Sequence, residues 1–202
     1  MTASDPAAAQ LLRRLVWRRV LDEGSLEFVE VEALAGGLRI GGTLVGLEQD
    51  RPLAVAYRLE SRPDGSLRSL ELEQRWGAET RRLALARDAA GAWSRDGSPA
   101  PELAGCSDPD LGCSPSTNAL PVRRLALPVG GSAEIRAAWI RFPGLTIEPS
   151  VQRYERLAER RWRYRSLASG FVAEIEVDAL GLPTDYQGVW RRVADWSPGA
   201  AG

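Results

Sequence analysis

The sequence of 202 residues contains no histidine and no lysine. Without histidine, the chain cannot build Ser-His or Cys-His nucleophile pairs, histidine general bases or histidine metal ligands. Without lysine, it cannot build a phosphate-binding P-loop, a Schiff base or a Ser-Lys dyad. The dinucleotide-binding segment G-x-G-x-x-G is also missing. Carboxylates, tyrosine, serine, cysteine and arginine remain as catalytic groups, so the composition does not exclude an enzyme but removes the commonest kinds.

Cysteine is scarce, and its two copies, Cys106 and Cys113, lie close together in the sequence. Two cysteines without histidine do not make a closed structural zinc site. We therefore expect neither a metal nor a cofactor. The spacing permits a disulfide, but a cytosolic setting disfavours one, and both residues also suit buried positions as small hydrophobic side chains.

An excess of charge of either sign is lacking as well, because the formal net charge is −1. Such a balance produces no field that would attract nucleic acid or an anionic membrane. The N-terminal residues do not form the apolar core of a secretory signal, and no run approaches the roughly 20 apolar residues of a membrane span. We expect a cytoplasmic protein with no nucleic-acid partner and no transmembrane segment. Its oligomeric state leaves no signal in the sequence.

Apolar and polar residues alternate along most of the chain. The alternation is clearest in four segments: 53–59, 135–139, 161–165 and 171–177. A period of two is typical of antiparallel strands with one face on a core and the other on water. We expect a mainly β fold, with a single large curved antiparallel sheet or open barrel of about 10–12 strands, a long central loop and at most short helices. Residues 13–195 are expected to form a single β domain between two flexible tails, 1–12 and 196–202.

Local patterns predict the boundaries of several strands. A tight turn rich in Pro, Asp and Gly should join strands near 52–62 and 66–76 in a hairpin. Another strand is expected near 122–128. In the strand around residue 28, the apolar phase slips between Phe28 and Val29, which predicts a β-bulge.

The least regular stretch, GCSDPDLGCSPSTNALPVRRL, lies at the centre of the chain, from Gly105 to Leu125. It holds both cysteines and the only asparagine. A long irregular segment in a compact domain is usually functional or disordered. Either this segment is a lid or rim over an open end of the sheet, or it plugs the sheet and satisfies edge backbone groups. Both interpretations stay open.

Six polar side chains of this segment are candidates for ligand binding: Asp108, Asp110, Thr117, Asn118, Arg123 and Arg124. The two aspartates could hold a divalent cation or act as an acid–base pair, or they could cap turns by accepting backbone N–H bonds. Asn118 is expected mainly as the N-cap of a short helix. One of the two arginines is expected to clamp an anionic or polyhydroxyl head group, since adjacent side chains point in different directions.

The central segment also resembles a bacterial protein family described as putative glycolipid-binding. The shared pattern is an Asp-x-Asp-Leu turn followed by Ser-Pro-x-Thr-Asn-x-Leu-Pro-x-Arg-Arg-Leu, and it matches between Asp108 and Leu125. Later matches lie at Trp139, Tyr154, Asp185, Tyr186, Gly188 and Trp190. The resemblance extends from about Val16 to Arg192.

The resemblance implies a large curved antiparallel sheet or open barrel with an apolar cavity, as in lipoprotein carriers and mycobacterial glycolipid carriers. It implies an amphiphilic, glycolipid-like ligand. It also adds four residues to the candidate ligand-binding set: Trp139, Tyr154, Tyr186 and Trp190. The cavity is expected to be lined by inward positions such as Leu70, Leu72, Leu83, Trp139, Trp162 and Ile175.

Two other functions remain open at this point. One is a small-molecule enzyme of hydrolase or isomerase type that uses Asp108 or Asp110 together with Arg123 or Arg124. The other is an interaction module without a small ligand. A cavity would distinguish the binder and the enzyme from the interaction module. A polar cavity with a pair of carboxylates would favour the enzyme.

Overall fold

The computed structural model describes residues 9–21 and 24–199. Within these residues, fifteen strands form one curved sheet that does not close into a barrel. The first eight strands are β1 (Gln10–Arg19), β2 (Leu26–Leu34), β3 (Gly37–Glu48), β4 (Arg51–Ser61), β5 (Leu67–Trp76), β6 (Glu79–Arg87), β7 (Trp93–Arg95) and β8 (Ser98–Pro99). The other seven are β9 (Asp108–Leu111), β10 (Ser132–Arg141), β11 (Thr146–Ala158), β12 (Arg161–Ser166), β13 (Val172–Val177), β14 (Pro183–Tyr186) and β15 (Trp190–Trp196).

The order of the strands explains the irregular centre of the chain. From β1 the chain runs strand by strand to one edge of the sheet at β8, resumes at the opposite edge with β9, and returns until β15 pairs with β1. Residues 100–107 join the two edges, and a link of this length spans at most about 30 Å. The sheet must therefore curve strongly enough to bring its edges near each other.

Residues 112–131, which we call the crossover, connect β9 to β10. These two strands pair in parallel, whereas the other paired strands of the described sheet are antiparallel. Parallel neighbours cannot be joined by a tight hairpin and need a connection of about a dozen residues or more. The crossover contains a 3-10 helix, Ser116–Asn118, followed by the short α-helix α1 (Ala119–Leu125).

The crossover fills the interior of the curved sheet. Leu120 and Val122 of α1 are buried in the hydrophobic core. Two hairpin turns from opposite halves of the sheet approach α1 at glycines with positive φ, Gly65 and Gly181. A Cβ atom at Gly65 would lie 3.0 Å from the backbone nitrogen of Arg124, so only glycine suits both the backbone and the close approach. None of the described helices is long and apolar enough to cross a membrane.

The mainly β fold predicted from the alternation is confirmed, as an open sheet and not a closed barrel. The hairpin between β4 and β5 lies at the predicted turn, where the amide of Arg62 donates to the carbonyl of Ser66. The sheet has more strands than expected. The additional ones include β8, β9 and β14, which are two to four residues long and too short to show a periodic pattern.

Two central segments differ from their predicted conformations. Asp108–Leu111, expected as a turn, forms the edge strand β9 on β10. An edge strand tolerates Pro109, because a proline without an N–H is harmless where no neighbour needs a donor. Residues 122–128, expected as a strand, begin inside α1, because the apolar residues of that segment face the interior of the sheet from a helical turn.

The predicted bulge between Phe28 and Val29 is wrong. Strand β2 pairs with β3 in unbroken register from Leu26 to Leu34. Glu27 is fully buried and faces the core, whereas Phe28 is exposed. The strand itself is regular. The apolar pattern shifts in the sequence because a carboxylate occupies an inward position and an aromatic ring occupies an outward one.

The predicted tails are shorter than expected where they are described. Residues 10–12 belong to β1, which pairs with β2 on one side and β15 on the other. Trp196 is the last residue of β15 and pairs with Arg14. These residues have ladder partners, which explains their strand conformation. Residues 1–8 and 200–202 of the predicted tails lie outside the described residues.

Candidate ligand-binding site

A cavity of about 410 Å³ lies between the crossover and the half of the sheet that follows it. Strands β9 to β12, β14 and β15 line it, together with the end of β1 and three crossover residues, Gly112, Ser114 and Asn118. Five of the ten predicted ligand-binding residues lie in its wall: Asp110, Asn118, Trp139, Tyr186 and Trp190. The sheet curvature brings these distant parts of the sequence together.

One wall of the cavity is a cluster of aromatic rings. Tyr164 and Tyr186 meet edge to face with ring centroids 6.1 Å apart. Phe171 lies 6.2 Å from Tyr164 and 6.4 Å from Tyr186. Burial raises the pKa of both tyrosines, so their hydroxyls stay neutral. The cluster offers a large apolar surface with only neutral polar tips.

Asp110 places a carboxylate in the same cavity. The amide Nε2 of Gln152 donates to its Oδ2 at 2.6 Å, and Gln152 is its one hydrogen-bond partner among the described residues. Burial in the cavity wall raises the pKa of Asp110 to about 6, only partly opposed by the bond from Gln152. The acid is therefore mostly ionised at pH 7 but has no cationic partner.

Asn118 does not cap α1 as predicted. Its side chain makes no capping bond: its backbone is already helical, and Pro121, at the third position of the helix, has no N–H to donate. The Asn118 Oδ1 instead accepts a 2.9 Å bond from the hydroxyl of Tyr154, and its Nδ2 donates to the carbonyl of Pro115. Both bonds fix the carboxamide in the cavity wall.

The two arginines of the central motif do not line the cavity. Arg124 forms a bidentate ion pair with Asp108, with Nε–Oδ1 3.1 Å and Nη2–Oδ2 2.6 Å. Asp108 is only 1% exposed. Arg123 extends to the carbonyl of Leu180, 3.5 Å away. Neither guanidinium therefore reaches the 410 Å³ cavity, because both have protein partners beside α1.

The remaining two predicted residues lie behind the cavity wall. The Oγ1 of Thr117 accepts a 3.2 Å bond from the amide of Leu111, which joins the crossover to β9. Tyr154 is buried and contacts two lining residues: its hydroxyl bonds to Asn118, and its ring meets that of Tyr164 edge to face with centroids 5.4 Å apart. Neither residue is among those that line the cavity. Both hold lining residues in position.

The family whose description is "putative glycolipid-binding" matches residues 14–192. The chain belongs to this family. The match includes all fifteen strands at least in part, and it contains every residue that lines the cavity. The family description is the only functional statement that accompanies the match.

A solved relative within the same fold supports the family assignment. A DUF1089 family protein from Pseudomonas aeruginosa is 34% identical to this chain in sequence, and its crystal structure matches the fold with a TM-score of 0.78. The alignment covers 85% of this chain and 94% of that one. No curated protein matches the chain.

Most of the apolar residues expected to line the cavity belong instead to the packed core of the protein. Leu70, Leu83, Trp162 and Ile175 are almost completely buried and pack in the hydrophobic cluster. Leu72 joins the same cluster and also borders a shallow hollow formed by β2 to β6. Of the six expected residues, only Trp139 lines the 410 Å³ cavity. A period of two distinguishes inward from outward positions but not a filled interior from an open one.

A ring of four oxygen atoms, which we call the oxygen ring, fastens the crossover to the sheet beside the cavity. Its members are Glu27 Oε1, Tyr57 OH, Ser116 Oγ and Ser114 Oγ. The successive distances are 2.6 Å, 2.7 Å and 2.9 Å, and the closing distance from Ser114 to Glu27 is 2.7 Å. Burial raises the pKa of Glu27 from 4.5 to about 7, against the opposing effect of the bonds from Tyr57 and Ser114.

The surroundings of Glu27 favour the neutral carboxyl. Its Oε1 accepts hydrogen bonds from Tyr57 and Ser114. The other carboxyl oxygen, Oε2, is buried without a partner among the described residues, and a charge there would be poorly solvated. Glu27 was not among the residues predicted to form the site. Its one signal was the apolar phase slip beside Phe28, which marks an inward carboxylate.

The two cysteines are free and buried. Burial raises the pKa of Cys113, and the nearby Glu27 carboxyl raises it further. A thiol with a raised pKa is a poor nucleophile. The described residues contain no group of three or more carboxylate or thiol side chains that could hold a metal ion.

Proposed function

We propose that this protein binds one amphiphilic molecule in the 410 Å³ cavity and acts as its carrier. The observation that supports this is the composition of the wall. A large aromatic surface of Tyr164, Phe171 and Tyr186 faces a small set of polar groups around Asp110 and Asn118. Binding sites for small molecules are typically about 300–1,000 Å³ and combine an apolar lining with a few convergent polar groups.

The size of the cavity limits the ligand. At 410 Å³ it is near the lower end of that range. It suits one head group with a short chain or with part of a longer chain, and it is too small for several acyl chains. Each buried methylene contributes about 0.8 kcal/mol before the cost of ordering the ligand. A chain of a few carbons therefore supplies useful affinity.

The enzyme alternative loses its main components in this geometry. It required an aspartate and an arginine of the central motif in one site. Asp108 and Arg124 bind each other, and Arg123 bonds to a backbone carbonyl. The other carboxylate that lines the cavity, Glu148, pairs with Arg141 and makes no hydrogen bond with Asp110 among the described residues. We further propose that the protein is cytoplasmic and that residues 13–195 form a single domain.

Uptake of a neutral fluorescent probe tests the proposal. N-phenyl-1-naphthylamine should increase in fluorescence when it binds the wild-type protein. The Phe171→Ala variant should bind it about fivefold more weakly, because it removes part of the aromatic wall. The matched control is Val172→Ala, since Val172 is 44% exposed and Phe171 43%, and Val172 does not line the cavity.

Two results would overturn carrier function. One is the absence of probe uptake by the folded wild-type protein. The other is an equal effect of the Phe171 and Val172 variants, which would place the probe on the outer surface. Native mass spectrometry of the freshly purified protein complements the assay by detecting a molecule that co-purifies.

A further inference from the structure

We propose that the cavity selects a ligand whose polar end is uncharged and rich in hydroxyl donors, such as a sugar ring or a polyol, and that Asp110 is the acceptor that determines this choice. The inference rests on the proposed function and specifies the ligand class of the same cavity. It also assigns the selectivity to a side chain outside the arginine pair of the central motif.

The hydrogen-bonding capacity of Asp110 supports a donor ligand. An ionised carboxylate accepts hydrogen bonds and cannot donate. Gln152 occupies one position on Oδ2 and holds the carboxylate in place. Two serines in the same wall, Ser150 and Ser166, can donate or accept. A group with several hydroxyls satisfies this combination, because each hydroxyl can donate to Asp110 and accept from a serine.

The charge of Asp110 opposes an anionic ligand beside it. The charged residues that line the cavity are two carboxylates, Asp110 and Glu148, and one guanidinium, Arg19. Glu148 has an ion-pair partner in Arg141 at 3.3 Å, and Arg19 is shared with a neighbouring hollow. Among the described residues, no guanidinium forms an ion pair with Asp110. A carboxylate, sulfate or phosphate placed there would meet a like charge in a poorly solvated site, which is strongly unfavourable.

The aromatic residues beside Asp110 suit the apolar faces of a sugar. Trp139 is the direct partner of Asp110 in the register of β9 and β10. Gly112 lies against the same indole, and a Cβ there would be 2.9 Å from Trp139 Nε1. Glycine therefore leaves room for the indole nitrogen, and the Arg141 guanidinium lies over the indole at 5.0 Å from the ring centroid. A ring whose hydroxyl bonds to Asp110 can pack its C–H groups on the neighbouring aromatic surface.

Three probes with the same eight-carbon chain test the selectivity: octyl β-D-glucopyranoside, octyl sulfate and 1-octanol. Isothermal titration calorimetry at pH 7.5, below the micelle concentrations, measures each affinity. The glucoside should bind at least tenfold more tightly than the sulfate. 1-Octanol, with a single hydroxyl, should bind more weakly than the glucoside.

Substitution of the acceptor should change this order. Asp110→Asn keeps the shape and removes the charge, so the glucoside should lose about tenfold in affinity while octyl sulfate gains. Asp110→Ser should give the same change and serves if the first variant folds poorly. The matched control is Asp185→Asn, because Asp185 is a partly exposed carboxylate on β14 that pairs with Arg191 and does not line the cavity.

The outcomes separate this inference from the proposed function. If octyl sulfate binds the wild-type protein as tightly as the glucoside, or if the Asp110 variants keep the wild-type preference, the choice of an uncharged ligand is wrong and the carrier proposal stands. If neither the octyl compounds nor N-phenyl-1-naphthylamine bind, the carrier proposal itself fails.

Discussion

The hydroxyl of Tyr57 on β4 donates a 2.6 Å hydrogen bond to the buried carboxyl of Glu27 on β2. The two strands are not neighbours in the sheet, since β3 lies between them. Tyr57 crosses β3 at Gly42, where a Cβ atom would lie 2.2 Å from the tyrosine ring. Gly42 therefore makes room for the bond, and the bond prepares the site where Ser114 and Ser116 of the crossover attach.

The pKa of Glu27 predicts how stability changes with pH. The pKa in the folded protein, about 7, is above the ordinary value of 4.5 for a glutamate. A raised pKa of an acid means that the folded state binds the proton more tightly, so the stabilisation is complete below about pH 4.5 and is lost as the pH rises to about 7. Over this window we expect a loss of roughly 3 kcal/mol in the free energy of unfolding.

Glu27→Gln should remove that part of the pH dependence and exceed the wild type in stability at pH 8 by roughly 2 kcal/mol. Urea denaturation at pH 5, 6, 7 and 8 measures both effects. Glu30→Gln is the control, since Glu30 lies on the same strand in a partly exposed ion pair with Arg14. An unchanged slope in the Glu27 variant would mean that this carboxyl is ionised in the folded protein.

Loss of the Tyr57 hydroxyl should loosen the crossover. Tyr57→Phe removes two contacts of the oxygen ring and leaves buried partners unsatisfied, so we expect a loss of about 1–3 kcal/mol in the free energy of unfolding. Tyr164→Phe is the matched control, because the Tyr164 hydroxyl makes no hydrogen bond among the described residues. That change should stay within about 0.5 kcal/mol. Equal effects of the two variants would assign no special role to the oxygen ring.

Arg124→Ala should affect stability and not ligand binding. The substitution leaves the buried carboxylate of Asp108 without its partner, and such a break costs about 3–5 kcal/mol. Arg191→Ala, which breaks a partly exposed pair with Asp185, should cost at most about 1 kcal/mol. Thermal melts give the stabilities, and probe affinity is measured well below the melting temperature. A stable Arg124 variant with greatly weakened affinity would return this arginine to the role of a head-group contact.

Asp110→Asn should make the protein more stable. The pKa of Asp110 in the folded protein, about 6, is above the ordinary value of 3.8 for an aspartate, so its contribution to stability declines as the pH rises from about 4 to 6. At pH 7 the variant should gain about 1–2 kcal/mol, less than the full shift implies because the side chain keeps some contact with solvent. Denaturation at pH 7 measures the gain. A residue that reduces stability is typical of a functional site. If the variant is no more stable than the wild type, the buried carboxylate of Asp110 does not destabilise the protein.

Local patterns were sufficient for the regular parts of this protein. The hairpin between β4 and β5 follows from a turn sequence between two alternating segments, and both are properties of adjacent residues. The beginning of a helix at Ala119 could also be predicted. The role of Asn118 could not, because its partner Tyr154 is 36 residues away and the choice between capping and this bond depends on where β11 lies.

The sequence by itself determined the fold class, the presence of an irregular centre and the absence of histidine and lysine chemistry. The first two follow from the alternation and the turn residues of neighbouring positions, and the third follows from the composition, so none of them depends on how distant residues pack. Only the tertiary structure decided which side chains share the cavity. It placed Asp110 in the wall and paired Asp108, two residues earlier, with Arg124. It also placed Glu27, a charged residue type, at a fully buried position. These outcomes depend on sheet curvature and on the packing of the crossover, and both arise from contacts between residues far apart in the chain.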